Sequence, residues 1–174
     1  MLLATAQAHD LPAIAALVNA AYRGPSAQKG WTSETHMLDG QRTDVETLRA
    51  DLAAKPGSTI LILRETTTAP PLACVWLEPL RGDVWMIGMV TVDPERQDSG
   101  LGRKLLDAAE SHARAHGGKT SKMTVIEGRD TLIAWYGRRG YQPTGESEPF
   151  PYGDARFGEP KLEGLKFLVL KKTL

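Results

Sequence analysis

The stretch Val90-Thr91-Val92-Asp93-Pro94-Glu95-Arg96-Gln97-Asp98-Ser99-Gly100-Leu101-Gly102-Arg103-Lys104 has the clearest chemical meaning in this chain. An apolar run that reads as a strand passes into a turn, and the turn opens a helix through two glycines. The first N–H groups of a helix have no internal partners and carry the positive end of its dipole, so they point at whatever anion lies in front of them. Glycine lets backbone approach a diphosphate with no Cβ in the way. Arg96, Arg103 and Lys104 add positive charge close by. The residues expected to hold a phosphorylated ligand are therefore Gln97, Asp98, Ser99, Gly100, Leu101, Gly102 and Arg103.

Other phosphate motifs fail on inspection. A dinucleotide fingerprint needs a third glycine three residues after Gly102, where Leu105 stands. A P-loop ending in Gly118-Lys119-Thr120 needs a glycine five residues before Gly118, and Ala113 is there. His112 and His116 are one helical turn apart, but Ala113 follows His112 where a zinc-protease helix needs glutamate, and the pair reads as surface or core-edge histidines. Cys74 lies in the apolar run Leu72 to Leu77 with no basic or histidine neighbour, so it reads as a small buried hydrophobe rather than a nucleophile.

The block Gln97, Gly100, Gly102, preceded by Val92-Asp93-Pro94, resembles the cofactor motif of the GNAT superfamily of acetyltransferases. A second block, Leu132-Ile133-Ala134-Trp135-Tyr136-Gly137-Arg138-Arg139-Gly140-Tyr141, resembles that family's fourth helix and the strand after it. Two departures stand out. Asp98 occupies a position where the family often has a small residue, and an acidic side chain facing a diphosphate is unfavourable, so Asp98 is expected to point to solvent. Arg129 occupies the place of a family asparagine early in the fourth-helix region and is a candidate cofactor contact.

The resemblance implies an N-acetyltransferase that uses acetyl-CoA as cosubstrate and no metal, with direct attack of a primary amine on the acetyl carbonyl. It implies an oxyanion donor on a splayed central strand, with Val90, Thr91 and Val92 as the candidates. Tyr136 aligns with the family's general acid. Full proton donation from a tyrosine of pKa roughly 10 to a thiolate of pKa about 8.5 runs uphill by about 2 kcal/mol, so Tyr136 is expected to act chiefly by hydrogen bonding. An alkylamine near pKa 10.4 costs roughly 4 to 5 kcal/mol to deprotonate at pH 7, which makes a base or water relay useful. Many family members carry a carboxylate on the central strand; here Trp85, Met86, Ile87, Gly88 and Met89 offer none. Glu34 and Glu78 are the substitutes, with His36 a more remote base. Trp31, Glu34, Arg42 and Glu78 are the candidate acceptor-site residues. The acceptor class stays open between small metabolites and peptide amines, and the family's habit of pairing allows a homodimer.

The elements that must position these residues follow from periodicity. Leu2 to Gln7 reads as an edge strand. Asp10 offers a cap for a helix carrying Leu11, Ile14, Ala15, Val18 and Tyr22, stopping near Gly24-Pro25. Thr43 or Asp44 caps a second helix that ends at Pro56-Gly57. Strands are expected over Thr59–Arg64, Leu72–Leu77, Val84–Val92, Lys122–Ile126 and Phe167–Leu170. Val84 to Val92 is apolar on both faces, one face carrying Val84, Met86, Gly88, Val90 and Val92 and the other Trp85, Ile87 and Met89, so it belongs mid-sheet. Gly88 within it signals a bulge or a close backbone approach. The helix from Gly100 to His116 shows Leu101, Leu105, Ala108, Ala109 and His112 on one face, and Thr131 to Arg139 forms a shorter helix. Pro143 to Gly164 reads as a long loop or loose hairpin. The fold class expected is α/β: one mixed, mostly antiparallel sheet of six to seven strands, flanked by about four helices, with the splayed central pair that the resemblance implies, and residues 1–174 forming one domain.

Composition constrains the setting. The chain has 174 residues, 41% hydrophobic and 24% charged, enough to bury a core without disulfides. Lys plus Arg and Asp plus Glu stand at 21 each, so nothing in the balance favours nucleic acid or an acidic membrane. One cysteine and no leader-like or membrane-length apolar run make a reducing, cytoplasmic location the expectation. Two rival readings remain at this level: a non-catalytic CoA or nucleotide sensor, which needs the glycines but not Tyr136, and an unrelated α/β binding module whose glycine turn merely starts a helix.

Overall fold

The computed structural model describes residues 1–25, 27 and 33–174. A seven-stranded sheet has the spatial order β1 (Leu2–Thr5), β3 (Thr59–Arg64), β4 (Ala73–Pro79), β5 (Val84–Val92), β6 (Thr120–Ile126), β9 (Lys166–Thr173) and β7 (Gln142–Pro149). Every pairing is antiparallel except β5 with β6. A separate two-stranded ribbon joins β2 (Leu38–Asp39) to β8 (Glu159–Pro160). Among the described residues the α-helices are α1 (Leu11–Tyr22), α2 (Val45–Ala54), α3 (Leu101–Ala115) and α4 (Asp130–Gly137). Among the described residues no helix is long and apolar enough to cross a membrane.

Strict alternation along β3 and β4 builds two cores. Leu61, Leu63, Ala73, Val75 and Leu77 face one side, where they meet Leu101, Leu105, Leu106, Ala109 and Ala113 of α3 and Leu132 and Tyr136 of α4. Ile60, Ile62, Cys74 and Trp76 face the other, against Ile14, Val18, Ala21 and Tyr22 of α1 and Leu48 of α2. A third, smaller cluster of Met37, Leu38, Ile126 and Phe150 lies under the ribbon. Cys74 is fully buried, and burial pushes its thiol up to about 12, so it stays protonated as a packing residue.

Several expectations shift. Pro143 to Pro149, the start of the stretch expected as a long loop or loose hairpin, belongs to β7; it is an edge strand, where prolines cost no ladder hydrogen bonds. Asp10 stands at the start of α1 without capping it: its carboxylate instead accepts from Gln7 N (2.8 Å) and Arg64 Nη1 (3.1 Å). Asp44 does cap α2, accepting from Thr47 N at 2.7 Å. The buried face of α3 includes Leu106, Glu110 and Ala113, while His112 lies at the core edge with its ring against Trp85. Glu110 is buried because Tyr141 Oη (3.0 Å) and Lys172 Nζ (2.7 Å) both donate to it, tying α3 to β9.

The most consequential difference is in β5. Cys74 pairs with Thr91 and Trp76 with Gly88, so β5 spends one extra residue there, a bulge at Met89–Val90 directly after Gly88. Met89 adopts φ +51. A bulge reverses the side-chain alternation: Val90 and Val92 join Trp85 and Ile87 on the α3 side, and Met89 packs on the α1 side. Uninterrupted alternation would put each of them on the opposite face.

Gly118 closes α3 onto β5. A Cβ there would come within 2.5 Å of Trp85 Cδ1 and 2.8 Å of the Ala113 carbonyl oxygen. Gly118→Ala should therefore lower unfolding free energy by about 1–3 kcal/mol through overpacking. Urea denaturation reads this directly; an unchanged midpoint would show that the Trp85 contact yields without cost.

Candidate functional site

The turn between β5 and α3 is built from local bonds. Asp93 Oδ1 accepts from Glu95 N (3.0 Å) and the Asp93 carbonyl from Arg96 N (2.8 Å), forming a short 3-10 turn over Pro94–Arg96. The Ser99 hydroxyl donates to the Arg96 carbonyl. Asp98 at φ +66 and Gly100 at φ +79 both take the left-handed conformation, which turns the chain sharply into the helix. Gly100 occupies the cap position and has no side chain to cap with. The first bond into the helix runs from Lys104 N to Gly100 O (3.1 Å), so the N–H groups of Leu101, Gly102 and Arg103 have no intrahelical partner.

These donors open onto a pocket of about 240 Å³ lined by Val90, Val92, Arg96, Gln97, Asp98, Gly100, Gly102, Arg103, Leu132, Trp135, Tyr136 and Arg139. Asp98 is exposed at its rim. A Cβ on Gly100 would meet nothing within 4 Å, so the space in front of the turn is free for a ligand. On Gly102 a Cβ would touch Trp135 at 3.4 Å and Val92 at 3.6 Å, ordinary contact that brings α3 against α4. The pocket's guanidiniums are lightly engaged. Arg96 pairs with Glu65 at 3.3 Å and Arg103 with Asp107 at 4.0 Å, both on exposed side chains that contribute little. Arg139 stacks 3.4 Å from the Trp135 ring centroid and donates to its carbonyl. Together, uncapped amides and three cations can hold a diphosphate.

The pocket continues along β5 because β5 and β6 part. Their pairing covers only Val84–Met86 with Thr120–Lys122, whereas β6 stays bonded to β9 as far as Ile126. From Ile87 onward the β6-facing edge of β5 has no strand partner among the described residues, which is the splay the resemblance implied. Tyr136 closes this gap. Leu132 and Tyr136, four apart on α4, face inward, and Tyr136 is 6% exposed with its ring edge-on to Trp135 and Tyr141. Its hydroxyl makes no hydrogen bond among the described residues. Burial, with the nearby Tyr22 adding to it, raises its pKa well above the ordinary phenol value, so it remains a hydrogen-bond donor at any physiological pH.

On the α1 side of the gap, Tyr22 Oη donates to the Val90 carbonyl at 2.7 Å. Beside it lies a buried charge cluster. Glu34 accepts through Oε1 from Arg129 Nη1 (3.0 Å) and through Oε2 from Arg23 Nη2 (3.2 Å), with all three side chains at most 7% exposed. Arg23 also donates to the Asp39 and Phe157 carbonyls. The bridge thus joins the end of α1, the segment before β2, the loop after β6 and the segment before β8. Arg42 sits 5.8 Å over the Tyr22 ring.

Among the expected site residues, Val90, Val92, Gln97, Asp98, Gly100, Gly102, Arg103 and Tyr136 line one pocket. Ser99 and Leu101 adjoin it through backbone: the Ser99 side chain is exposed, and the Leu101 side chain is core. The Thr91 side chain turns away, donating to the Met89 carbonyl at 3.0 Å. Arg129 and Glu34 meet each other rather than standing apart. Glu78 lies away from this pocket. It pairs opposite Met86, about 13 Å along β5 from Val90, and there it accepts from Lys55 (3.0 Å) and Trp76 (3.2 Å). Antiparallel pairing carries the end of β4 away from the pocket. Trp31 lies outside the described residues, and His36 is exposed. Leu132, Trp135 and Arg139 were missed as pocket residues, although the Trp135–Arg139 spacing of four in the second block was a usable signal. Tyr22 and Arg23 left no signal beyond an apolar helix face and its end. Among the described residues no three His, Cys, Asp or Glu side chains gather as a metal site.

A mixed sheet that opens beside an uncapped, glycine-led helix leaves room for an anionic ligand, and sequence comparison supplies the class of protein. Residues 25–141 match the acetyltransferase (GNAT) family model, and the chain belongs to that family. No curated protein matches the sequence. Solved structures of similar fold include a ribosomal-protein-alanine N-acetyltransferase from Brucella melitensis, with TM-score 0.72, 19% identity and 100% of both chains covered. Another is yncA from Salmonella typhimurium, solved with its cofactor acetyl-CoA, with TM-score 0.68, 21% identity, and 100% of this chain and 94% of that one covered. A third is an N-acetyltransferase from Staphylococcus aureus Mu50, with TM-score 0.70, 16% identity, and 99% and 97% covered.

Removing the carboxylate from the buried bridge should strand two guanidiniums. Glu34→Gln is expected to cost about 3 kcal/mol of stability, measured by urea unfolding. A loss below about 1 kcal/mol would mean that Arg23 and Arg129 find other partners.

Proposed function

We propose that this protein transfers an acetyl group from acetyl-CoA to the neutral form of a primary amine by direct attack. The observation that carries this reading is the continuity of one pocket from the uncapped start of α3, along the open edge of β5, to the buried hydroxyl of Tyr136. When bound, acetyl-CoA supplies the activated acyl group as a thioester. The amides of Leu101, Gly102 and Arg103, with the Arg96, Arg103 and Arg139 guanidiniums, hold its diphosphate. The bare β5 edge orients the pantetheine arm, and a backbone N–H among Val90 to Val92 stabilises the oxyanion as the amine nitrogen bonds to the carbonyl carbon. Tyr136 donates a hydrogen bond to the sulfur as the C–S bond breaks. Its raised pKa favours hydrogen bonding over full transfer, so the proton lost by the amine leaves through water and the thiolate is reprotonated from solvent.

Glu34 enters this reading as a positioning residue rather than as the base. Its two oxygens are engaged by two guanidiniums, and proton uptake there would break a buried ion pair. A small-molecule or peptide amine is the acceptor, and a cytoplasmic location, where acetyl-CoA is made available, belongs to the same reading.

Two variants test it. Tyr136→Phe removes a hydroxyl that bonds nothing among the described residues, so stability should hold while kcat falls about 100-fold and acetyl-CoA affinity changes little, by thiol release and calorimetry. Parallel losses of affinity and turnover would make Tyr136 a packing residue. Gly102→Glu should leave a folded protein whose thermal midpoint no longer rises with CoA, because a carboxylate then fills the anion cradle. A midpoint that still rises would refute the cradle.

A further inference from the structure

We propose that the acceptor is a small amine bearing a carboxylate, such as an amino acid, and that Arg42 is the residue that recognises that carboxylate. This rests on the acetyl-transfer reading above and adds the acceptor's chemical class to it.

The argument starts from an imbalance. Around Tyr22, on the α1 side of the open gap, stand among the described residues the guanidiniums of Arg23, Arg42 and Arg129 and one carboxylate, that of Glu34. Glu34 is used up by Arg23 and Arg129. Arg42 contacts the face of Tyr22, and among the described residues no carboxylate lies within ion-pair distance of it. A half-buried guanidinium without an anion is costly unless a ligand completes it.

Arg42 is also held in place. Asn19 Oδ1 accepts from the Arg42 N–H (2.6 Å) and the Thr43 N–H (3.2 Å), while Asn19 Nδ2 donates to the Thr43 carbonyl (2.8 Å). This three-bond clamp fastens the backbone of Arg42 to α1, one turn before Tyr22. Tyr22 in turn bonds the carbonyl of Val90, which lines the pocket. The chain Asn19, Arg42, Tyr22, Val90 therefore sets a cation one aromatic ring away from the strand edge where the acyl carbon would lie.

That geometry suits an acceptor whose amine and carboxylate are separated by a few bonds. The carboxylate takes the planar fork of Arg42, and the amine reaches the bare edge of β5. The surplus positive charge also disfavours the ammonium form of the acceptor, which helps where no free carboxylate stands ready as base. A polycationic acceptor or a lysine-rich peptide would be repelled by the same surplus.

The test pairs matched amines: the common amino acids, β-alanine and 4-aminobutyrate, each with its carboxamide. Wild-type protein should release thiol with an acid at least about 10-fold faster in kcat/KM than with the matching amide, as expected for a charge-assisted contact. Arg42→Gln should erase that ratio, and Arg42→Lys should restore part of it. Equal rates for acid and amide in the wild type, or a ratio that survives Arg42→Gln, overturn the proposal. A second measurement separates this from failure of the acetyl-transfer reading. In the presence of CoA, N-acetylated amino acids, but not N-acetylated amino-acid amides, should raise the thermal midpoint of the wild type and not of Arg42→Gln. Such a shift without turnover sinks acetyl transfer alone; no shift and no turnover with any acid sinks the carboxylate proposal.

Discussion

The site depends on a strand pair that stops pairing. β5 and β6 share only three register positions, and past Met86 the backbone of β5 faces open space instead of a neighbour. Such an edge in mid-sheet would ordinarily be filled. Here it is kept open because β6 has a full partner in β9, while β5 is held from its other side by β4 and from the α1 face by the Tyr22 bond to Val90. The bulge at Met89–Val90 adds local twist and aims Val90 and Val92 toward the pocket side. Without it, the same residues would lie against α1.

A second constraint holds the rim of that opening. Several segments without regular structure must stay together around the gap, and the small cluster of Met37, Leu38, Ile126 and Phe150 packs them without fixing direction. The Arg23–Glu34–Arg129 bridge adds directional contacts to it. A buried ion pair gives little net stability compared with a hydrophobic substitute, because desolvation offsets most of its attraction. Its value here is geometric: it sets Arg129 at the start of α4, the helix that carries Tyr136, in register with the end of α1, which carries Tyr22. Both tyrosines thereby reach the gap from opposite sides of the sheet, and each has its pKa raised chiefly by burial.

Much of this was legible beforehand. Thr59–Arg64 and Val84–Val92 match the strands to the residue, since each is a mainly apolar stretch between turn formers. The glycine turn into α3 was equally plain, because Gly100 and Gly102 sit where a strand signal gives way to a helical one. β7 was hidden by Pro143, Gly145 and Pro149, which suppress a strand signal that an edge position tolerates. The distance of Glu78 from the pocket was not legible, because proximity in sequence to β5 says nothing of the direction in which β4 runs.

What the sequence alone determined was local: which of the strongly patterned segments are helix or strand, and where an uncapped helix start would attract an anion. Those properties depend on spacing within a few turns of chain. What only the tertiary structure decided was which distant groups meet. The bulge that reverses the faces of β5, the parting of β5 from β6, the capture of Glu34 by arginines 11 and 95 residues away, and the seating of Arg42 over Tyr22 all arise from packing between elements. A buried charge must find its counter-charge wherever the fold brings one, and spacing along the chain carries no record of that choice.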